Sequence, residues 1–207
     1  MDIDFNILGS FVLAVAALAI SPGPDNIYVL TQSLAQGSKA GLSTVAGLMS
    51  GCYIHTTLIA FGVSLIIRDN ENLYLLLKIL GASYLLYLAF KVYKSHPPDL
   101  KTKVNSTKAS FWENFKTGFI MNAINPKVAI FFLALFPGFL FSQEMGTVSQ
   151  FYVLGTIFIL VSFIIFGSIA LLAGKISTFI KRNERVGIYL KWMQIIVFVG
   201  IALLILI

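Results

Sequence analysis

The segment Ser21-Pro22-Gly23-Pro24-Asp25-Asn26 interrupts an apolar run that extends from Phe5 to Leu34. A continuous helix is implausible across it. Each proline removes a backbone donor and clashes with the preceding turn, at roughly 3 kcal/mol in a helix interior. The run should divide into two half-helices. The second would begin near Asp25 and Asn26, both good N-cap residues, so that free backbone N–H groups and the positive end of the helix dipole face the break.

A counterpart lies in the second half of the chain, at Asn122-Ala123-Ile124-Asn125-Pro126-Lys127. Asparagine before proline is a helix-start signature, with the cap residue followed by Pro at the first helical position. A second broken helix is predicted there.

The surrounding composition identifies the solvent. Of 207 residues 57% are hydrophobic and 12% charged, and the mean hydropathy is +0.87. An ordinary soluble domain is about 25% charged. Apolar runs at Phe5 to Leu34, Leu42 to Ile67, Leu73 to Tyr93, Phe115 to Phe141, Phe151 to Leu172 and Ile188 to Ile207 are each long enough to cross the hydrocarbon core, which takes about 20 residues. The expectation is an all-α polytopic membrane protein, one transporter domain over 1–207 with about six transmembrane helices.

Net charge is +6 and the pI near 9.4, a balance that in a soluble chain could signal nucleic acid. Its placement excludes that partner. Lys39, then Lys101, Lys103 and Lys108, then Lys175, Lys181, Arg182 and Arg185, with Lys191 just inside the last run, gather at alternate connections between the apolar runs, the distribution of loops retained in the cytoplasm. The acidic N-terminus and the loop with Glu144 then lie outside, which predicts N-out and C-out. Trp112 and Trp192 stand beside basic loops, at the depth indole rings favour. The stretch Phe11 to Ile20 with Ala17-Leu18-Ala19 imitates a signal peptide, but Asp2 and Asp4 precede it and no basic residue occurs before Lys39.

From Pro97-Pro98 through Ser110 the chain is polar and without apolar periodicity. It reads as a cytoplasmic linker, about 96–114, between one repeat over about 1–95 and another over about 115–207. A shift of 104 residues places Ile20-Ser21-Pro22 on Ile124-Asn125-Pro126 and Gly51 on Gly155, and a shift of 105 places Phe61-Gly62 on Phe166-Gly167. Halves with three spans each insert in opposite senses, the inverted-repeat plan of many secondary transporters. Paired interruptions then mark a binding site near the midplane, built from Ser21, Pro22, Gly23, Pro24, Asp25, Asn26, Asn122, Asn125, Pro126 and Lys127. The competing reading is two proline kinks that only shape packing.

Asp25 and Lys127 weigh against simple kinks, because a charge at the centre of a membrane helix costs about 2.5 to 3.5 kcal/mol on insertion scales. A zwitterionic amino acid would suit them, its carboxylate on the half-helix N-termini or Lys127 and its ammonium on Asp25. Alternatively the two side chains neutralise each other. His55 stands on a helical stripe with Gly47, Gly51 and Gly62, where small residues let another helix approach. With Asp25 it is a candidate for proton coupling, and the bland alternative is a packed, hydrogen-bonded histidine. Gly81 and Gly200 also read as packing sites, Cys52 as a small apolar filler, and the Gly47/Gly51 stripe would serve a homodimer as well as an internal contact.

No phosphate-binding Gly-x-x-x-x-Gly-Lys-Ser/Thr loop, no Gly-x-Ser-x-Gly elbow and no His-Glu-x-x-His motif occurs. Transport would draw on an ion gradient, and neither cofactor nor enzyme activity is expected. One cysteine with two histidines, His55 and His96, makes no zinc motif. The alternatives are an inorganic-ion or metal exporter and, behind it, a membrane-embedded enzyme.

Ser21-Pro22-Gly23-Pro24-Asp25, Ala46-Gly47-Leu48 through Gly51 and His55, Leu77-Lys78 with Gly81-Ala82-Ser83-Tyr84-Leu85, and Asn125-Pro126-Lys127 followed by Leu135-Phe136-Pro137 recur in a known order and spacing. In these the chain resembles the lysine-exporter (LysE) superfamily, and within it the homoserine/threonine-resistance (RhtB) amino-acid exporters. The resemblance implies efflux of neutral or basic amino acids or related metabolites, by proton antiport, through the bacterial cytoplasmic membrane.

Overall fold

A computed structural model describes residues 2–69, 71–96, 109–183 and 185–206; the side chains at 65–69, 71, 74, 127, 181 and 182 are outside that description. So are linker residues 97–108, with Lys101, Lys103 and Lys108. The described chain is helical: α1 (Phe5–Ile20), α2 (Pro24–Gln36), α3 (Ser38–Asp69), α4 (Glu71–Lys94), α5 (Phe111–Ala123), α6 (Pro126–Leu135) running into a short 3-10 turn (Phe136–Phe139), α7 (Thr147–Leu171), α8 (Ala173–Arg182) and α9 (Val186–Leu206).

Helices α3, α4, α7 and α9 are individually long and apolar enough to cross a membrane. Both expected breaks are present. The axes of α1 and α2 meet at 58°, and those of Phe111–Ala123 and Val128–Phe139 at 52°. Counted as one span each, the bent pairs bring the total to six.

Local chemistry sets the helix ends. Asp4 caps α1, its Oδ1 accepting from the backbone of Asn6 at 2.8 Å and Ile7 at 3.2 Å. Ser110 and Glu113 form a reciprocal capping box, so α5 starts at Phe111, inside the stretch read as linker. Gly37, with φ 90°, turns the chain directly from α2 into α3; a side chain would be strained in that conformation. The basic stretch after the fifth span was expected to be loop. Its first part is instead α8, where Ala173, Ile176 and Ile180 recur at helical spacing and are buried or half-buried, with Gly174, Lys175 and Phe179 exposed.

Lipid tails are as apolar as leucine, so burial alone does not bring membrane helices together; close packing does. A Cβ on Gly47 would collide with the Phe115 carbonyl oxygen, one on Gly51 would lie 2.8 Å from Asn122 Cβ, and one on Gly118 would collide with the Thr44 carbonyl. Helices α3 and α5 thus touch backbone to backbone. Gly81 of α4 meets Ala134 of α6, and Gly155 of α7 meets Thr56 of α3. Two expected packing sites are corrected: Gly62 and Gly200 are exposed, and a Cβ on either would touch nothing within 4 Å. Gly62 lies about two helical turns beyond His55, whose partner Asn122 is already at the end of α5.

Phenylalanines fill the centre. Phe132 stacks on Phe136 at 4.3 Å between centroids and meets Phe158 edge-on at 4.7 Å, while Phe11 stands edge-on to Phe136 and Phe139. At one end Gln150 organises the loop before α7: its Oε1 accepts from the backbone of Phe141 (2.7 Å) and Ser142 (3.0 Å), and its Nε2 donates to the carbonyls of Ser142 (2.9 Å) and Met145 (2.7 Å). The Asp4 N–H donates to the Phe141 carbonyl at 2.9 Å, tying the N-terminus to that loop. At the other end Lys191 Nζ donates to the Tyr93 and Ser95 carbonyls, each at 2.7 Å, joining the exit of α4 to the start of α9.

The sequence shifts correspond unevenly to the structure. Each half contains one bent helix pair, but Phe61 is 60% exposed whereas Phe166 is 8% exposed, so the Phe-Gly match joins unlike environments.

Candidate functional site

The breaks meet. Asn125, in the second interruption, donates from Nδ2 to Oδ2 of Asp25 at 3.4 Å. Asp25 is not the helix cap expected of it. Gly23 takes that position without a side-chain hydrogen bond and Pro24 is the first helical residue, because proline needs no intrahelical partner there and already holds helical φ. Asp25 consequently sits in the first turn of α2, its charge at the positive end of the helix dipole. Asn26 donates from Nδ2 to the Ala19 carbonyl at 2.7 Å, satisfying an orphan acceptor at the end of α1.

Around this junction lies a cavity of about 60 Å³. That is room on the scale of a few waters. The breaks contribute Ser21, Gly23, Pro24, Asp25, Asn26, Asn122 and Asn125, and α1 adds Leu18 and Ala19. Leu48, Met49 and Cys52 of α3, Val128 and Phe131 of α6, and Phe158, Ser162 and Phe166 of α7 complete the lining. Asp25 is its only charged member among the described residues. The buried Ser21 Oγ, Asn122 Oδ1 and Ser162 Oγ have no hydrogen-bond partner within the protein. In a protein interior such atoms each cost about 1 to 3 kcal/mol when left unpaired, and all three lie on this one cavity.

The structure divides the candidate residues. Seven of the ten line the cavity, as named above. Pro22 and Pro126 do not: Pro22 borders a separate groove with Val92, Ser95, His96, Lys191 and Gln194, and Pro126 is exposed at the first position of α6. Both shape the breaks instead. Lys127 is within α6, and its side chain is outside the described residues.

His55 is not in the cavity wall. It is 4% exposed, packs 5.7 Å from the Phe132 ring and places Nε2 2.9 Å from the Asn122 carbonyl oxygen. A carbonyl only accepts, so Nε2 carries the proton. Cys52, expected as filler, is fully buried but lines the cavity. Ser162 and the α7 phenylalanines were not anticipated. In sequence they are ordinary members of an apolar span, and which face turned inward was not legible.

Comparison with known proteins bears on this arrangement. The family model described as LysE type translocator matches residues 16–207. The chain belongs to that family. Two relatives of this LysE type translocator are the homoserine/homoserine lactone efflux proteins of Salmonella typhimurium (strain LT2) and Salmonella typhi, each 30% identical over 177 residues, or 85% of this chain and 84% of theirs. No solved structure matches it. Family, relatives and apolar helices together make this LysE type translocator a multi-pass membrane transport protein of the amino-acid exporter kind.

Proposed function

We propose that this protein exports neutral amino acids or closely related metabolites across the bacterial cytoplasmic membrane by proton antiport, with both termini on the outer face. The observation that carries the reading is the junction of Asp25 and Asn125 on one cavity, which brings the two helix breaks to a common point. There Asp25 would receive the substrate ammonium, and the N–H groups and side-chain amides of the breaks its carboxylate, since the first N–H groups of a helix lack intrahelical partners. A carboxylate that meets either an ammonium or a proton is a means of exchange, so Asp25 is assigned the coupling role.

His55 is assigned to structure, because it stands behind Asn122 and not on the cavity. The halves, about 1–95 and 115–207, are read as inverted repeats, supported by the paired breaks. Relatives named for efflux of homoserine and its lactone support a small, uncharged side chain in the substrate.

The test uses proteoliposomes loaded with labelled amino acids, with and without a proton gradient, comparing the native protein with Asp25→Asn. Gradient-dependent efflux by the native protein that Asp25→Asn loses is the expected result. Equal efflux by both would overturn the role of Asp25, and no efflux of any amino acid from folded native protein would overturn the function.

A further inference from the structure

Helical serines and threonines of this protein commonly return their hydroxyl to the carbonyl four residues before. Ser33, Ser50, Thr56, Thr156 and Ser168 all do so, at 2.7 to 3.0 Å. That bond is the default in a membrane helix, where no water competes for the hydroxyl. Ser162 departs from it. It lies on α7 between Thr156 and Ser168, is 1% exposed, lines the cavity, and its Oγ bonds to no other group of the protein.

Its neighbours on that face, Phe158 and Phe166, are four residues to either side and also line the cavity. With Phe131 of α6 they form an apolar wall whose one hydroxyl is that of Ser162. The wall contrasts with the amides and the carboxylate of the helix breaks, which supply everything a zwitterionic backbone needs. A ligand held by its ammonium and carboxylate at the breaks would turn its side chain toward α6 and α7. There it would meet phenyl rings, one hydroxyl and, among the described residues, no charge.

We propose that Ser162 determines side-chain specificity, pairing its hydroxyl with a polar, uncharged group on the transported molecule; this rests on the amino-acid reading of the cavity. Ser162 is the group that favours a hydroxyl-bearing side chain over an apolar one of equal size. The wall around it disfavours basic side chains, since a cation there would be desolvated without a partner. A site built to hydrogen-bond a hydroxyl discriminates against the analogue lacking it, because its own polar group is then left unpaired.

The experiment measures efflux from proteoliposomes of homoserine against norvaline and of threonine against valine, pairs in which a methyl replaces the hydroxyl. Native protein should prefer the hydroxylated member by roughly three- to tenfold, the worth of one net hydrogen bond. Ser162→Ala should bring both ratios near one while norvaline and valine efflux persists. Ser64→Ala is the control, because Ser64 Oγ is also buried and unpartnered but is not part of the cavity, and its ratios should match the native ones. Ser162→Ala that keeps the native ratios, or that slows both members of each pair equally, would overturn the proposal. So would a native protein with no preference. Native protein that moves none of the four compounds would count against the amino-acid reading, a separate failure.

Discussion

The Asn122 carbonyl accepts two hydrogen bonds, from His55 Nε2 at 2.9 Å and from the backbone N–H of Asn125 at 2.9 Å. One acceptor at the end of α5 thus ties the second break to α3. Because the Asn122 side chain faces the cavity, His55 positions a cavity residue through that residue's backbone.

A clamp and a proton relay make different demands on His55. Gln supplies an N–H in place of Nε2, so His55→Gln should export with the native pH dependence. His55→Leu leaves the carbonyl one partner short and should cost about 1 to 2 kcal/mol, read as a lower melting temperature in detergent. A shifted pH profile in His55→Gln would return the coupling role to the imidazole.

The α3–α5 seam has no room for side chains at its glycines. Gly47→Val must displace the Phe115 backbone and should lower stability by about 1 to 3 kcal/mol or prevent folding. Gly62→Ala, at an exposed site with nothing within 4 Å, should be neutral. Melting curves of the two variants from one detergent preparation check the contrast, and equal losses would contradict the seam.

Gln150 is 2% exposed and satisfies four backbone groups of the loop between α6 and α7. Gln150→Leu leaves those groups without it, at a cost on the order of 2 kcal/mol or more. Protease sensitivity should rise at residues 140–146. An unchanged digestion pattern would mean that the loop is held by other contacts.

Sidedness can be read by labelling. Cys52 is the sole cysteine, so a Cys52→Ala background carrying Ser142→Cys offers one thiol, in the loop bonded to the N-terminal residue Asp4. An impermeant maleimide added to intact cells should label it, and Lys39→Cys should stay unlabelled until the cells are opened. The reverse pattern would invert the proposed orientation.

If Asn125 steadies Asp25 at the junction, Asn125→Ala should slow export while changing stability by less than about 1 kcal/mol, since a 3.4 Å bond is long and weak. Export at the native rate would assign the junction to packing alone.

Much of this architecture is local and was legible in the residues. Length and polarity decide whether a segment crosses a bilayer, because an unpaired backbone group in lipid costs more than any neighbour returns. The breaks at Pro22-Gly23-Pro24 and Asn125-Pro126 follow from proline's missing donor and fixed φ, which no tertiary partner alters. The start of α6 at Pro126 was legible for the same reason. The start of α2 was misplaced by one or two residues because two cap signals, Gly23 before Pro24 and Asp25-Asn26, compete within four positions.

Only the tertiary structure decided which faces meet. In a span apolar on all sides, periodicity does not separate the lipid face from the packed one, so Gly62 and Gly200 read like Gly47 and Gly51, and Ser162 like any serine. Contact with α5 selected Gly47 and Gly51, and the six-helix surroundings of the cavity selected Ser162. The sequence determined where this chain crosses the membrane and where it breaks. Which side chains the breaks bring together is a matter of helix rotation and approach, set by close packing between segments up to a hundred residues apart, as Asp25 and Asn125 are.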